Sequence, residues 1–322
     1  MGSSILVHGM HGLGDNLHQR AILRQLMESG AEVWLESSWF APYHDLVAQG
    51  LRITRKETRL RTQTKNAERE AALFMPAPEG RVWSREIKVW YPPREVRIRG
   101  SVLSAMCRSA CVDSRRADFR MPVPTTWQSK AARILSETPI IRSDRQPIDC
   151  DRPIMLYRPL QERAEWGGCR NRNPDHAAYA ELFRSIRDQF FVVSVADFEP
   201  GREWMVGEPV EADLEFHNGE LDFETIAGLT RMASLVFTPP GFAVVLAQAV
   251  ETPVACVFGG YENSKSFSGG ARFSPYLGID PIKPCHCFSH DHQCEKAIDM
   301  PKAIARLKAF AEAALESRDR AS

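Results

Sequence analysis

No run in the 322 residues approaches the ~20 consecutive apolar residues that a bilayer-spanning helix requires. Near its start the chain also lacks a basic stretch followed by a long apolar one, so a secretory leader is not expected and a cytosolic protein is. The eight cysteines, in a chain this long and without a secretion signal, do not imply a disulfide framework. Cys107, Cys111, Cys150, Cys169 and Cys256 are scattered and are expected in the core as small apolar residues. Net charge is missing as well, 41 Lys and Arg balancing 41 Asp and Glu. What remains is the profile of a soluble globular chain, 43% hydrophobic and 25% charged, long enough for two domains.

The balance of charge is uneven. Residues 51–120 hold seventeen Lys or Arg against eight Asp or Glu, a net of +9. Arg94, Arg97, Arg99, Arg108, Arg115, Arg116 and Arg120 carry much of the excess. Such a stretch is either a solvated face or a surface for an anionic partner. Trp83, Trp90 and Tyr91 are interleaved with it and can stack on bases or form a half-buried strand.

The chain is organised around its opening stretch, Ile5 to Asn16, where an apolar run, a glycine-rich bend and an amphipathic helix reaching Glu28 follow without spacers. Gly30 stops the helix, and Glu32–Glu36 is the next strand, which makes a β-α-β unit and requires a parallel sheet. Ala72–Met75 and Ile87–Tyr91 are predicted strands; 101–112 and 126–137 are predicted helices.

A second alternating series starts near Asp151. Strands are expected at 153–157, 190–195, 234–238 and 253–258, with helices at 175–189, 223–232, 241–250 and 301–316. A loop rich in Gly, Arg and Asn spans 166–174. The strands are continuously apolar, as in parallel sheets buried on both faces. The expected fold is therefore α/β, two doubly wound Rossmann-like domains at 1–150 and 151–322 facing a cleft.

Spacing decides what the first glycine loop can hold. A dinucleotide fingerprint fails, because the third position after Gly12 and Gly14 is Leu17. Gly9 and Gly14 have P-loop spacing, yet Asp15 and Asn16 follow where Lys and Ser or Thr belong, and a carboxylate repels phosphate. Gly12-Leu13-Gly14-Asp15, between a strand and a helix, resembles the opening of the lipopolysaccharide heptosyltransferase-like glycosyltransferases. The order of elements from Leu221 to Gly260, including Glu251-Thr-Pro-Val-Ala-Cys-Val-Phe-Gly259, is similar to that family, as is the cysteine-bearing segment from Pro284 to Ile298.

The resemblance implies a GT-B fold, with the acceptor bound by the first domain and a nucleotide-sugar by the second, and inverting transfer without a metal. It assigns Asp15 the role of base, beside an acceptor loop of His11, Gly12, Leu13 and Gly14. A carboxylate there can take the proton from an acceptor hydroxyl as it attacks the anomeric carbon; Asp15 can equally be a helix N-cap. Where the family has Asp-Thr-Gly and then a histidine, this chain has Pro239-Pro240-Gly241 and Phe242-Ala243-Val244. A helix N-terminus still offers N–H groups to a diphosphate, and Arg158 and Arg172 are the candidate counter-charges. Asp197 and Glu220 stand where such domains meet the nucleoside.

Cys285, His286, Cys287, His290, His292 and Cys294 are six potential zinc ligands within ten residues. The tight C-x-C spacing favours instead a reduced segment against the last helix, so no cofactor is expected. The function expected is a metal-independent hexosyl- or heptosyl-type glycosyltransferase with an anionic acceptor, a phosphorylated glycolipid or DNA carrying a hydroxylated base. The alternatives are a nucleic-acid-binding protein whose transfer site has decayed and, weakened by the failed fingerprint, a nucleotide-dependent oxidoreductase.

Overall fold

A computed structural model describes residues 3–76, 79–138, 152–166, 171–289 and 292–319. Cys150, Cys169, His290 and residues 167–170 of the Gly/Arg/Asn loop lie outside the described residues. The chain divides into two compact units, Met1–Pro122 and Val123–Ser322.

The first unit comprises β1 (Ser4–His8), α1 (Leu13–Glu28), β2 (Glu32–Ser37), α2 (His44–Ala48), β3 (Arg52–Arg55), α3 (Arg61–Arg69), β4 (Arg85–Lys88), α4 (Pro93–Arg99) and α5 (Val102–Ala110). Its four strands stand in the order β3-β2-β1-β4, all parallel. The apolar run thus becomes a central strand, and α1 covers it with Leu17, Ile22 and Leu23, all fully buried. Gly30 ends that crossover in the left-handed conformation, φ 79°.

Two strand predictions need correction. Ala72–Met75 is no strand: Ala71–Leu73 forms a 3-10 turn, and Met75 alone bridges to Thr54. Leu73 and Met75 stay exposed, so no buried face rewards an extended ladder there. The strand predicted at Ile87–Tyr91 runs instead from Arg85 to Lys88, because the Trp90 N–H goes to Ser109 Oγ at 3.0 Å. Among the scattered cysteines, Cys107 and Cys256 are buried, but Cys111 is exposed at the left-handed C-cap of α5, φ 56°. Much of the basic excess is neutralised locally. Arg52 and Arg81 share Glu32, Arg115 meets Asp113, Arg116 meets Glu28, and Arg120 meets Asp118.

The second unit comprises α6 (Thr125–Glu137), β5 (Ile154–Tyr157), β6 (Gln161–Arg163), α7 (His176–Arg184), β7 (Phe191–Val195), β8 (Glu203–Met205), β9 (Leu214–Phe216), α8 (Phe223–Met232), β10 (Leu235–Thr238), α9 (Phe242–Ala249), β11 (Val254–Val257), β12 (Tyr276–Ile279) and α10 (Met300–Asp319). Six strands form a parallel sheet in the order β12-β11-β10-β5-β7-β9. Counted by chain order from the β9 edge these strands stand 3-2-1-4-5-6, the Rossmann order, with the reversal between β5 and β10. The antiparallel pair β6–β8 stands apart.

The core of this unit is aromatic. Tyr157 stacks on Phe237 at 6.2 Å and meets Phe183 at 4.7 Å. Burying Phe183 or Phe237 contributes roughly 2–3 kcal/mol each. The helix predicted at 175–189 stops at Arg184 and resumes only as the 3-10 turn Arg187–Gln189; Asp175 is its N-cap, accepting from Ala178 N at 2.9 Å. The fold is the α/β class expected, with two Rossmann-like units.

Candidate active site

The loop after β1 is held from every side. The Gly9 N–H donates to Glu36 O at 3.1 Å, and a Cβ on Gly9 would stand 2.7 Å from that oxygen, so only glycine lets the loop close on β2. Four consecutive carbonyls accept from side chains. Lys56 Nζ donates to Gly9 O, Asn16 Nδ2 to Met10 O (2.9 Å) and Gly12 O (2.7 Å), and Trp39 Nε1 to His11 O (3.0 Å). Asn16 is itself fully buried, its Oδ1 accepting from Ser37 Oγ at 2.7 Å and Tyr43 OH at 2.8 Å. Gln19 accepts from Met10 N at 2.6 Å and donates to Tyr43 OH at 2.9 Å. Ser37, Trp39, Tyr43 and Lys56 were not singled out from sequence. The available signal was Asn16 and Gln19, polar residues one turn apart on the buried face of α1.

This clamp shapes the position of Asp15. Gly12, and not Asp15, is the N-cap of α1, and Asp15 sits in the first turn. A Cβ on Gly12 would stand 2.5 Å from Asp15 Oδ2, so the carboxylate folds back over the loop, and a side chain at position 12 would make it shift. The helix N-terminus favours its negative charge.

Beside the loop, His11 lines a recess of about 530 Å³ with Glu57, Thr58, Arg59 and Leu60. Burial and the Lys56 charge hold the His11 imidazole below its ordinary pKa. Its Nδ1 is buried and meets no hydrogen-bond partner among the described residues. Leu13 is buried. On the other side His8, the last residue of β1, sits between two carboxylates, Nδ1 2.7 Å from Glu36 and Nε2 3.1 Å from Glu86. Burial pulls its pKa down, but both hydrogen bonds outweigh that and raise it.

In the second unit the residues after β5 and β10 converge at the strand-order reversal, where ligands of such sheets bind. The Arg158 N–H donates to Phe237 O at 3.0 Å. Its guanidinium, buried to 8% exposure, lies 4.8 Å from the centre of the Phe242 ring and donates to Gln161 Oε1 at 3.2 Å. Burial lowers its pKa to about 10, partly offset by Glu203 and by Asp197, so it is cationic at neutral pH. No side chain caps α9, and a Cβ at Gly241 would meet nothing within 4 Å. Ala243 and Val244 turn their side chains into the core and offer only backbone N–H groups.

Arg158, Gly241, Phe242 and Asp197 are thus brought together. Asp197 bridges to Asn218, whose N–H donates to Glu220 Oε2 at 2.8 Å, so Glu220 closes a turn on the same side. Arg172 stands apart, at the end of β11, with Nε donating to the buried Glu262 at 2.6 Å.

The cysteine segment forms a compact cluster. The ligand atoms of Cys285, Cys287, His292 and Cys294 all lie within 4.8 Å of one another. Cys287 Sγ is 3.4 Å from Cys294 Sγ, and His292 Nδ1 is 3.4 Å from Cys285 Sγ and 3.5 Å from Cys294 Sγ. A tetrahedral ion with bonds of ~2.3 Å to sulfur needs edges of ~3.8 Å; the three separations of 3.4–3.5 Å lie a few tenths of an ångström below that, and the 4.8 Å that bounds the whole set lies about 1 Å above it. The Ser289 N–H donates to Cys287 Sγ at 3.4 Å, and His286 and Phe288 adopt φ 54°, turning the chain tightly around that sulfur. Sequence named three histidines for this site. The structure selects His292, whereas His286 bonds Ser266 Oγ at 3.2 Å.

No protein-family model matches the chain, and no curated protein does. Solved structures do resemble it. The iron-containing dodecameric glycosyltransferase TibC from enterotoxigenic E. coli H10407 matches with TM-score 0.60 and 13% identity, over 99% of this chain and 76% of TibC. A family 9 glycosyl transferase from Veillonella parvula DSM 2008 gives 0.58 and 10%, over 96% and 97%. The E. coli ADP-heptose lipopolysaccharide heptosyltransferase II gives 0.53 and 12%, over 96% and 98%. The chain therefore shares the fold of these heptosyltransferases and glycosyltransferases. No described helix is long and apolar enough to cross a membrane.

The His8 cluster predicts a pH-dependent stability. With its folded pKa above the ordinary ~6.5, the contribution is complete below about pH 6.5 and fades as pH rises through the raised value. Urea unfolding of wild type and His8→Gln at several pH values should differ at pH 6 and converge as pH rises through the raised pKa of His8. The gap should not exceed about 1 kcal/mol, because the partners are part-exposed.

Proposed function

We propose that the protein is an inverting glycosyltransferase that moves a sugar from a nucleotide-diphospho-sugar to an acceptor hydroxyl. The observation that carries this reading is the buried Arg158 beside the uncapped N-terminus of α9, at the strand-order reversal of a Rossmann sheet. A guanidinium and free backbone N–H groups together suit a diphosphate. TibC, which shares the fold, has been solved with ADP-D-beta-D-heptose.

In this reading residues 1–150 serve the acceptor and 151–322 the donor. Asp15 takes the proton from the attacking hydroxyl; the hydroxyl oxygen bonds to the anomeric carbon from the face opposite the leaving diphosphate. The bond to the diphosphate oxygen breaks, and Arg158 with the α9 N–H groups stabilises the charge that oxygen gains. Asp197 and Glu220 flank the nucleoside, and Arg172 is a further cation on the donor side. The acceptor enters beside His11, Gly12, Leu13 and Gly14, at the recess that Arg59 also lines. The acceptor in this reading is anionic, a phosphorylated glycolipid or DNA with a hydroxylated base, and Arg59 is the cation of the recess that would meet it, beside Glu57.

Cys285, Cys287, His292 and Cys294 hold one iron or zinc ion. Three thiolates and one imidazole fill a tetrahedron with no open position, so the ion supports structure and the transfer proceeds without it.

A panel of labelled ADP-, UDP- and GDP-sugars, offered with lipopolysaccharide and with DNA, tests the reading. One donor is expected to turn over, and Asp15→Asn to lower kcat by about 10²–10⁴-fold. If no donor binds or turns over, the assignment is wrong. Elemental analysis of protein purified without chelator should find about one iron or zinc per chain, and Cys294→Ser should lose most of it. A metal content near zero in the wild type would refute the site.

A further inference from the structure

Three strips of the second unit meet at the end of β11: the turn 258–263, the strip Asn171–Asn173 and the cysteine segment. The close approaches are made by two glycines. A Cβ on Gly259 would stand 2.1 Å from Asn173 O and 2.8 Å from Arg172 O, and one on Gly260, at φ 94°, would stand 2.8 Å from Cys294 Cβ. Backbone bonds then tie the cysteine segment to the same turn, from His286 N to Gly260 O at 2.8 Å and from Phe288 N to Tyr261 O at 3.0 Å.

Asn171 is the side chain that joins the strip to the cluster. Its Nδ2 donates to Ser289 O at 3.4 Å and to His292 O, the backbone of a ligand residue. Two residues further along the backbone the strip reaches the donor cradle. Asn173 Nδ2 donates to Gln161 O at 3.0 Å, and Gln161 Oε1 accepts from Arg158 at 3.2 Å. Arg172, between the two asparagines, is held by Glu262.

We propose that Asn171 is a positioning residue that relays the folded state of the Cys285–Cys294 segment to Arg158 through Asn173 and Gln161. The two states are chemically distinct. With four ligands gathered on one ion, Ser289 O and His292 O are fixed and the Asn171 amide has both acceptors. Without the ion, three thiols and an imidazole have no common centre, and the strip loses that anchor. Metal occupancy therefore sets donor affinity and leaves the chemical step alone. This inference rests on the donor site proposed above.

The test uses the full chain and two readouts other than turnover: metal content by elemental analysis, and binding of ADP, UDP and GDP by titration calorimetry. Removing the metal should weaken the nucleotide that binds by about tenfold or more. Asn171→Ala should keep the wild-type metal content, show the same loss, and lose nothing further when the metal is removed. In turnover, KM for the donor should rise with kcat within about twofold. A purely structural role would lower the unfolding temperature of Asn171→Ala and leave nucleotide affinity at the wild-type value. Equal nucleotide affinity in metal-loaded and metal-free wild type would overturn the relay, as would loss of metal from Asn171→Ala. Failure of all three nucleotides to bind the loaded wild type would overturn the donor site itself, and the relay with it.

Discussion

A single buried amide, Asn16, fixes the loop around which the first unit is built. Its nitrogen holds two loop carbonyls and its oxygen takes two hydroxyls from β2 and the turn before α2. Buried polar groups left without partners cost about 1–3 kcal/mol each, so the network holds as a whole or not at all. Because Met10 O and Gly12 O are fixed, Gly12 caps α1 and the helix starts at Leu13, and Asp15 therefore falls in the first turn with its carboxylate over a residue that has no side chain. The proton transfer proposed for Asp15 depends on that rigidity, because a base acts only where it is held in place.

The two units use the same device, a helix N-terminus at the end of a parallel strand, with opposite electrostatics. In the first, the helix carries its own carboxylate, which repels phosphate. In the second, Gly241 leaves the helix end open and Arg158 adds a full positive charge in a buried setting, where it interacts more strongly than in water. Sheet order explains the location. β5 and β10 are neighbours whose connections leave in opposite directions, so a crevice opens at their ends. The proline pair before Gly241 removes two backbone donors from the turn, and the Arg158 guanidinium, which follows the adjacent strand, lies over the Phe242 ring at the start of α9.

What the sequence disclosed follows from burial. In the second unit the four strands expected from sequence, β5, β7, β10 and β11, are largely apolar on both faces, whereas the short β6, β8 and β9 carry polar residues and gave no such signal; α8 begins and ends where composition puts it, at Phe223 and Met232. In the first unit, Leu73 and Met75 look like strand residues but remain exposed, and no local pattern tells an exposed apolar turn from a covered strand. Asp15 could be named but not placed, since whether it caps the helix depends on the conformation of Gly12. Asn16 and Gln19 were hidden for another reason: their partners Ser37 and Tyr43 lie more than twenty residues away. Similarly, spacing alone argued against a metal at Cys285 and Cys287. The left-handed turns at His286 and Phe288 and the return of the chain at His292 and Cys294 are what bring four candidate ligand atoms together.

In the proposed reaction proton transfer falls to Asp15 and diphosphate binding to Arg158. Calorimetric titration of ADP, UDP and GDP into wild type, Asp15→Asn and Arg158→Gln tests this division directly. One nucleotide should bind wild type and Asp15→Asn alike, and bind Arg158→Gln at least about tenfold more weakly, the loss of a charge-assisted bond. Equal affinity in all three proteins, or a loss in Asp15→Asn as large as that in Arg158→Gln, would contradict the account.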